Sequence, residues 1–273
     1  MSLIQVKNVY FEYKESVSVL KNINLELNKG EVVAIIGQNG SGKTTLVKHF
    51  NGLLRPTKGE ILINGNPTVK KTVAQLSHTC GYVFQNPDDQ IFNSVVEKEV
   101  AFGPSNLGLK GIELNVRVDE ALKTVGLYEQ RKKHPLDLDL NQKKLVAIAS
   151  IVAMNPELLI LDEPTTGQDH AGLIMVEALI NELRKTHTII IISHDMNLVA
   201  RVVDRVIMMC NGEVIFDGAP KEAFTKNDLM KKTYLKPPII TELAQSIKGF
   251  SRDILTVNEF MDELVKLRKR RRK

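Results

Sequence analysis

Val32-Val33-Ala34-Ile35-Ile36-Gly37-Gln38-Asn39-Gly40-Ser41-Gly42-Lys43-Thr44-Thr45 decides the fold. The apolar run reads as a buried strand, Gly37 to Thr44 as a phosphate-binding loop, and Lys43-Thr44-Thr45 as the first turn of a helix. That order aims a row of backbone N–H groups and a helix N-terminus at one point, an arrangement suited to polyphosphate. Lys43 has the reach for the β- and γ-phosphates, and the Thr44 hydroxyl is a ligand for Mg²⁺. A glycine-rich turn matching by chance would not need a strand before it and a helix after it. The chain is therefore expected to bind a nucleoside triphosphate through Gly37, Gln38, Asn39, Gly40, Ser41, Gly42, Lys43, Thr44 and Thr45.

Composition sets the bounds. The 273 residues suit one large domain or two unequal ones, and 43% hydrophobic with 25% charged residues is the balance of an ordinary globular protein. A net charge of +5, contributed in part by the last residues, argues little for nucleic acid. Cys80 and Cys210 lie far apart without metal-ligand spacing, and both read as buried, reduced thiols of a cytosolic protein. The N-terminus has no charged segment followed by an apolar core, so no secretion signal is expected. No apolar run approaches the ~20 residues that a membrane-spanning helix needs. Any membrane association is expected to be peripheral.

Outward from the loop, Ile23, Leu25 and Leu27 alternate ahead of a turn at Asn28-Lys29-Gly30, and Leu3 to Val9 alternates in part. The helix from Lys43 stops near Gly52. Pro56-Thr57-Lys58-Gly59 turns into a strand at Glu60–Gly65, and Gly81–Phe84 is a short strand stopped by Asn86-Pro87-Asp88-Asp89. From about Glu97 to Met154 the spacing is helical, with Val116, Val118, Ala121, Leu122 and Val125 on one face and Gly126 closing it. Leu158–Leu161, Thr188–Ile192 and Val206–Met209 are apolar runs such as strands covered on both faces show. Helices expected over 172–185 and 196–203 make these β-α-β units, and hence a parallel sheet. Pro237-Pro238 marks a boundary. Beyond it lies a short helical tail with Val257, Phe260, Met261, Leu264 and Val265 at amphipathic spacing.

Leu158-Leu159-Ile160-Leu161 delivers two adjacent carboxylates, Asp162 and Glu163, to the strand's C-terminal end. That edge of a parallel sheet is where ligands bind, and the phosphate loop opens on it too. An isolated Asp-Glu pair would read as a solvated strand end. Beside a phosphate loop, Asp162 is placed to hold Mg²⁺ and Glu163 to polarise the water that attacks the γ-phosphate.

The phosphate loop Gly37–Thr45, Gln85 after a strand, Asp162-Glu163-Pro164-Thr165, Asp169, and His194 after Ile189–Ile192 together resemble the ATP-binding-cassette (ABC) ATPases over nearly the whole chain. The resemblance implies an α/β P-loop NTPase fold with an N-terminal antiparallel β-subdomain, an inserted helical subdomain near 97–154, and a small C-terminal helical extension. The ATPase domain would span 1–233 and the extension 234–273. It implies Mg²⁺-dependent hydrolysis of ATP, with Thr44, Gln85 and Asp162 around the metal. Glu163, His194 and Gln85 become the catalytic set: Glu163 as base, His194 on the γ-phosphate and steadying Glu163, Gln85 sensing Mg²⁺ and the attacking water. Asp169 is expected at the dimer interface. Tyr13 matches the aromatic that stacks on adenine, a contact worth about 1–3 kcal/mol.

A narrower resemblance rests on Phe84-Gln85-Asn86-Pro87-Asp88-Asp89-Gln90-Ile91-Phe92 and on Leu235-Lys236-Pro237-Pro238 with the tail. These look like the ATPase subunits of energy-coupling-factor (cobalt/vitamin-type) importers. Such subunits pair on the cytoplasmic face of the cell membrane beneath a transmembrane coupling protein, which carries a substrate-binding membrane protein. The coupling protein is expected to dock after Gln85, with Asp88, Asp89, Glu97 and Glu99 either facing its arginines or simply solvated.

One motif departs from the family. Leu138-Asp139-Leu140-Asn141-Gln142 stands where Leu-Ser-Gly-Gly-Gln is usual, Leu145 where a basic residue is usual, and Gln168 and His170 flank Asp169 in place of Leu and Pro. In the family the Ser hydroxyl and glycine amides cradle the γ-phosphate bound by the opposite subunit. A carboxylate at Asp139 would repel that phosphate by about 4 kcal/mol at ~4 Å and an effective dielectric near 20. Leu140 and Asn141 add Cβ atoms where glycine lets backbone approach. A heterodimer with an intact-signature ATPase is therefore expected, a slow homodimer being the alternative.

Two weaker signals and two competing readings remain. Thr225-Lys226-Asn227-Asp228 matches a guanine-reading pattern but has no apolar strand before it, so chance explains it. The tail Lys269–Lys273 reads as a solvated helix end, with anionic lipid head groups as the alternative. A non-transport ABC ATPase acting on nucleic acid or ribosomes would show tandem cassettes or basic–aromatic interleaving, and a subunit that binds ATP without hydrolysing it would commonly lose Glu163 and His194.

Overall fold

The computed structural model describes residues 2–13 and 17–270, the side chains of Lys269 and Arg270 excepted, so the basic tail at Lys269–Lys273 lies outside the described side chains. In chain order the first elements are β1 (Ser2–Glu12), β2 (Ser18–Asn28), β3 (Val32–Ile36), α1 (Lys43–Phe50), β4 (Lys58–Ile63), β5 (Asn66–Pro67), α2 (Val73–Ser77) and β6 (Cys80–Val83). Three helices come next, α3 (Val96–Asn106), α4 (Gly111–Thr124) and α5 (Leu140–Val152). Then come β7 (Leu158–Asp162), α6 (His170–Leu183), β8 (Thr188–Ile192), α7 (Met196–Val202), β9 (Arg205–Cys210) and β10 (Glu213–Gly218). The chain closes with α8 (Pro220–Ala223), α9 (Asn227–Lys232), α10 (Ile239–Ser246) and α11 (Val257–Arg270).

Period-two alternation gives β1 and β2 one apolar face. They pair antiparallel and form a four-stranded sheet in the order β2-β1-β4-β5. The second sheet runs β10-β9-β3-β8-β7-β6, parallel except for the β9–β10 hairpin. All five residues of β3 are buried because both of its faces are covered. Val33 and Ile35 pack with α1 and the antiparallel sheet; Val32, Ala34 and Ile36 pack with α5, α6 and α7. Each such Val or Ile stabilises the fold by about 1.5–3 kcal/mol through burial. The consequence for function is positional: β3, β7 and β8 end at one edge, so the residues just past each strand converge there.

Helices α3, α4 and α5 form the inserted layer, joined by Val96, Val100, Val118, Ala121, Leu122 and Leu145. Val116 corrects the expected face: it is exposed, two residues from buried Val118 and on the opposite side of α4. Cys80 is buried as expected, whereas Cys210, the last residue of β9, is only half-buried. The guanine-like Thr225–Asp228 string comes after helix α8, not after a strand.

Thr233 ends α9, and Tyr234 at φ 55° turns the chain, with Leu235 N–H donating to Met230 O at 3.0 Å and Tyr234 N–H to Lys231 O at 3.1 Å. Beyond it Ala244, Ile254 and Phe260 make a small separate core. The tail stripe thus splits. Phe260 and Leu264 turn inward, whereas Val257, Met261 and Val265 remain exposed.

Candidate active site

Backbone crowding forces glycine where the loop leaves β3 and where it enters α1. A Cβ on Gly37 (φ 152°) would stand 2.1 Å from the carbonyl oxygen of Met209, and one on Gly42 (φ 101°) 3.0 Å from that of Val19. Helix α1 then begins without a side-chain cap, and its first internal bond runs from Leu46 N–H to Gly42 O at 2.8 Å. The amides of Lys43, Thr44 and Thr45 have no partner within the helix, which leaves them for an anion. Lys43 Nζ donates to Gly37 O at 2.7 Å and Gln38 O at 3.0 Å. Burial pushes the Lys43 ammonium's pKa down, against the opposing pull of Glu163 and Asp162.

The loop forms one wall of a cleft of about 580 Å³. Tyr13, Asn39, Gly40, Ser41, Gly42, Lys43, Thr44, Thr45, Gln85, Asp162, Glu163 and His194 all line it, with Val19, Thr166 and Ile192. Gly37 and Gln38 sit behind that wall and act through the carbonyls that hold Lys43. Tyr13 stands at one end, its hydroxyl 3.1 Å from Thr45 Oγ1 and its ring edge-on to Phe11. Gln85, exposed, lines the cleft from the end of β6.

The carboxylates come from β7. Thr44 Oγ1 donates to Asp162 Oδ2 at 3.2 Å, and Tyr82 of β6 donates its buried hydroxyl to the same oxygen at 2.5 Å. Glu163 is buried; burial raises its pKa above the usual carboxylate range, as does the Asp162 charge, while the His194 amide, Lys43 and Lys144 oppose the shift. His194 N–H donates to Glu163 Oε2 at 3.3 Å, and His194 Nε2 lies 3.0 Å from Oε1. Desolvation and the Lys43 charge lower the pKa of His194, so the imidazole is neutral at pH 7. Glu163 also has a left-handed φ of 50°, which costs a non-glycine residue roughly 1–2 kcal/mol.

Helix α5 opens at the divergent motif. Asp139 caps it, accepting from Gln142 N–H at 2.8 Å, while Gln142 Oε1 accepts from Asp139 N–H at 3.4 Å. The helix N-terminus, an anion site by construction, is thus occupied by the chain's own carboxylate. Asn141 Nδ2 donates to Asp169 Oδ1 at 3.0 Å, and Asp169 in turn caps α6 through Gly172 N–H at 2.8 Å. Lys144, one turn further along α5, is buried with its Nζ on the carbonyls of Glu163, Pro164 and Thr166.

Tyr82 and Lys144, and the cleft-lining Val19, Thr166 and Ile192, were not foreseen from the sequence. Tyr82 and Val19 were hidden in strand patterns that reveal burial and not pairing. Lys144 carried a usable signal, a charged residue on a helix whose next residues are continuously buried. Among the acidic residues expected near the docking segment, Glu99 is buried and accepts from Phe92 N–H, Asn93 N–H and Asn93 Nδ2, so it is consumed internally. Glu97 is paired with Arg131 and Lys132, and Asp88 with Lys143.

The donor set fits a magnesium nucleotide. A hydroxyl and a carboxylate oxygen 3.2 Å apart at the mouth of an amide-lined loop are hard ligands, few enough to leave room for water and phosphate oxygens.

The profile of the ABC transporter family matches residues 20–166. The energy-coupling factor transporter ATP-binding protein EcfA of Methanocaldococcus jannaschii is 47% identical over 248 residues, covering 90% of this chain and 89% of that protein. EcfA1 of Caldanaerobacter subterraneus subsp. tengcongensis is 45% identical over 271 residues, 95% of this chain and 98% of that one. Among solved structures, cbiO1 of Clostridium perfringens, part of the ABC transporter complex cbiONQ, superposes with a TM-score of 0.77 at 40% identity, covering 85% of this chain and 94% of that one. The dimeric, post-hydrolysis ATP-binding cassette MJ0796 bound to ADP and Pi gives 0.71 at 28% identity, covering 80% and 98%.

Proposed function

This chain belongs to the ABC transporter family of ATP-binding cassettes, and from that premise we propose that it is the ATP-hydrolysing subunit of an energy-coupling-factor-type importer. The observation that carries the proposal is the meeting of Lys43, Thr44, Gln85, Asp162, Glu163 and His194 in one cleft, in a chain whose relatives along nearly its full length are ATP-binding proteins of that transporter type.

Phosphates enter at the free amides of Lys43, Thr44 and Thr45, with Lys43 Nζ turning from the loop carbonyls to the β- and γ-oxygens. Adenine stacks on Tyr13 beside Val19. Thr44 and Asp162 would hold Mg²⁺, with Gln85 near it. A Mg²⁺ ion held there would supply positive charge to offset the negative charge developing on the phosphates. Glu163 in its carboxylate form takes the proton of the attacking water. His194 lines the cleft beside Glu163 and orients it through its backbone N–H and through Nε2, which lies 3.0 Å from Glu163 Oε1; from there the ring is placed to meet the γ-phosphate.

Coupling to the membrane is assigned to the face beside Gln85. There Phe92 and Phe102, 64% and 46% exposed, pack edge to face at 4.7 Å on the rim of a groove of about 340 Å³. An exposed aromatic pair suits an apolar helix of a transmembrane coupling protein better than an arginine-rich one, because Glu97 and Glu99 are already committed. Asp89, exposed, has no ion-pair partner among the described residues and remains for a basic contact. No helix among the described residues is long and apolar enough to cross a membrane. The chain therefore reaches the cytoplasmic face through that coupling protein and its substrate-binding partner. We assign residues 1–233 to the ATPase domain and 234–273 to the extension.

The divergent motif points to an asymmetric dimer. Asp139 fills the helix N-terminus that would meet the opposite subunit's γ-phosphate, so the half-site this chain offers is poor while its own Lys43–Glu163 half-site is complete. Purified alone, the chain is expected to hydrolyse ATP slowly, and addition of an ABC ATPase with an intact Leu-Ser-Gly-Gly-Gln is expected to raise turnover at least tenfold. Equal turnover with and without that partner would refute the asymmetric dimer.

A further inference from the structure

The hydrolytic turn is held from the opposite side by a buried cation, Lys144. On α5, directly before the buried apolar Leu145, Lys144 is itself buried. Its Nζ lies within hydrogen-bond reach of three carbonyl oxygens of a single turn, Glu163 O at 3.3 Å, Pro164 O at 3.4 Å and Thr166 O closer still. An ammonium has three donors, so the clamp uses its full capacity. The same turn closes on itself through Thr166 N–H to Glu163 O at 3.2 Å, and it holds Glu163 at a left-handed φ of 50°. Strain of this kind persists only where surrounding contacts over-determine the backbone.

We propose that Lys144 is a positioning residue for hydrolysis: by clamping the carbonyls of Glu163, Pro164 and Thr166 it fixes the left-handed turn that aims the Glu163 carboxylate at the attacking water. Because Lys144 stands on α5, one turn from the motif at Asp139–Gln142, the clamp also ties the surface offered to a partner's nucleotide to the chain's own base. The Asn141–Asp169 bond at 3.0 Å makes a second tie between the same two segments. The inference rests on the reading of Glu163 as the base.

The test compares K144M, K144Q and K144R with the unsubstituted chain in the membrane complex purified with its partners. Mg-ATP affinity is measured by calorimetry on the folded full chain, and kcat and KM by phosphate release. K144M, which keeps length and loses charge, is expected to leave Kd and KM within twofold and lower kcat at least thirtyfold. K144R restores donors to the same carbonyls and is expected to recover kcat to within fivefold. If K144M does not fold, K144Q carries the same expectation with at least a tenfold fall. An unchanged kcat in the neutral variants overturns the proposal. So does a parallel loss of kcat and Mg-ATP affinity that K144R fails to rescue, since that is what a merely structural lysine would give. E163Q run alongside separates the two readings: normal turnover in E163Q removes the base itself, whereas an inactive E163Q with an active K144M removes only the role of Lys144.

Discussion

Tyr82 shows how much of the site rests on single side chains that no motif names. Its hydroxyl shares Asp162 Oδ2 with Thr44, so two donors fix the rotamer of the carboxylate proposed to hold Mg²⁺. A hydrogen bond to a charged acceptor contributes about 1.5–3 kcal/mol, and outer-shell partners of metal ligands typically govern metal affinity by 10–100-fold. Tyr82→Phe is therefore expected to raise the Mg²⁺ concentration for half-maximal ATP hydrolysis about tenfold, read from a Mg²⁺ titration at saturating ATP. An unchanged requirement would show that Asp162 is held by other means. Lys43, Thr44, Asp162 and Glu163 were legible because each sits in a short contiguous string whose order implies a geometry. Tyr82 was not, because its partner lies 80 positions away and only strand pairing brings them together.

At the scale of elements, apolar runs and glycine punctuation located β3, α1, β7 and β8 closely, since full burial leaves a strand little freedom in composition. Amphipathic helices were less legible. The α4 stripe included Val116 and the α11 stripe included Met261 because sequence spacing cannot say which neighbour covers a face, or whether any does. Two histidines at element seams carry a further consequence. His49 in α1 places Nδ1 on Thr45 O at 2.7 Å, and His187, between α6 and β8, places Nδ1 on Leu183 O at 3.2 Å; both rings are buried. Burial depresses both pKa values below the ordinary 6.5, with the backbone bonds opposing. Above pH 6.5 folded and unfolded chains are both mainly neutral at these sites, and neither histidine changes stability with pH. As the pH falls below 6.5 the unfolded chain takes up protons first, so stability is lost, by up to about 1.4 kcal/mol per pH unit per histidine. Urea unfolding between pH 7.5 and 5 is expected to show this decline, and His49→Gln with His187→Gln to flatten it. An equal slope in the double variant would assign the acid sensitivity elsewhere.

At the scale of the whole molecule, the chain joins a cleft lined by Lys43, Thr44, Asp162 and Glu163 to a helix N-terminus already capped by its own Asp139 carboxylate. The sequence made this asymmetry visible, because a lost glycine pair and a gained charge stand out within a short motif. It did not reveal that the replacements are packed into the chain itself, with Asn141 bonded to Asp169 and Lys144 beneath Glu163. The divergent motif is therefore built in as a structural unit, compatible with a dimer in which this subunit supplies the base and its partner supplies the motif. The direct measurement is Glu163→Gln introduced in this chain alone, within its complex with an intact-signature partner. Mg-ATP binding should persist while turnover of the whole complex falls at least a hundredfold. Retention of half or more of the turnover would contradict the account, because the productive site would then lie on the other subunit.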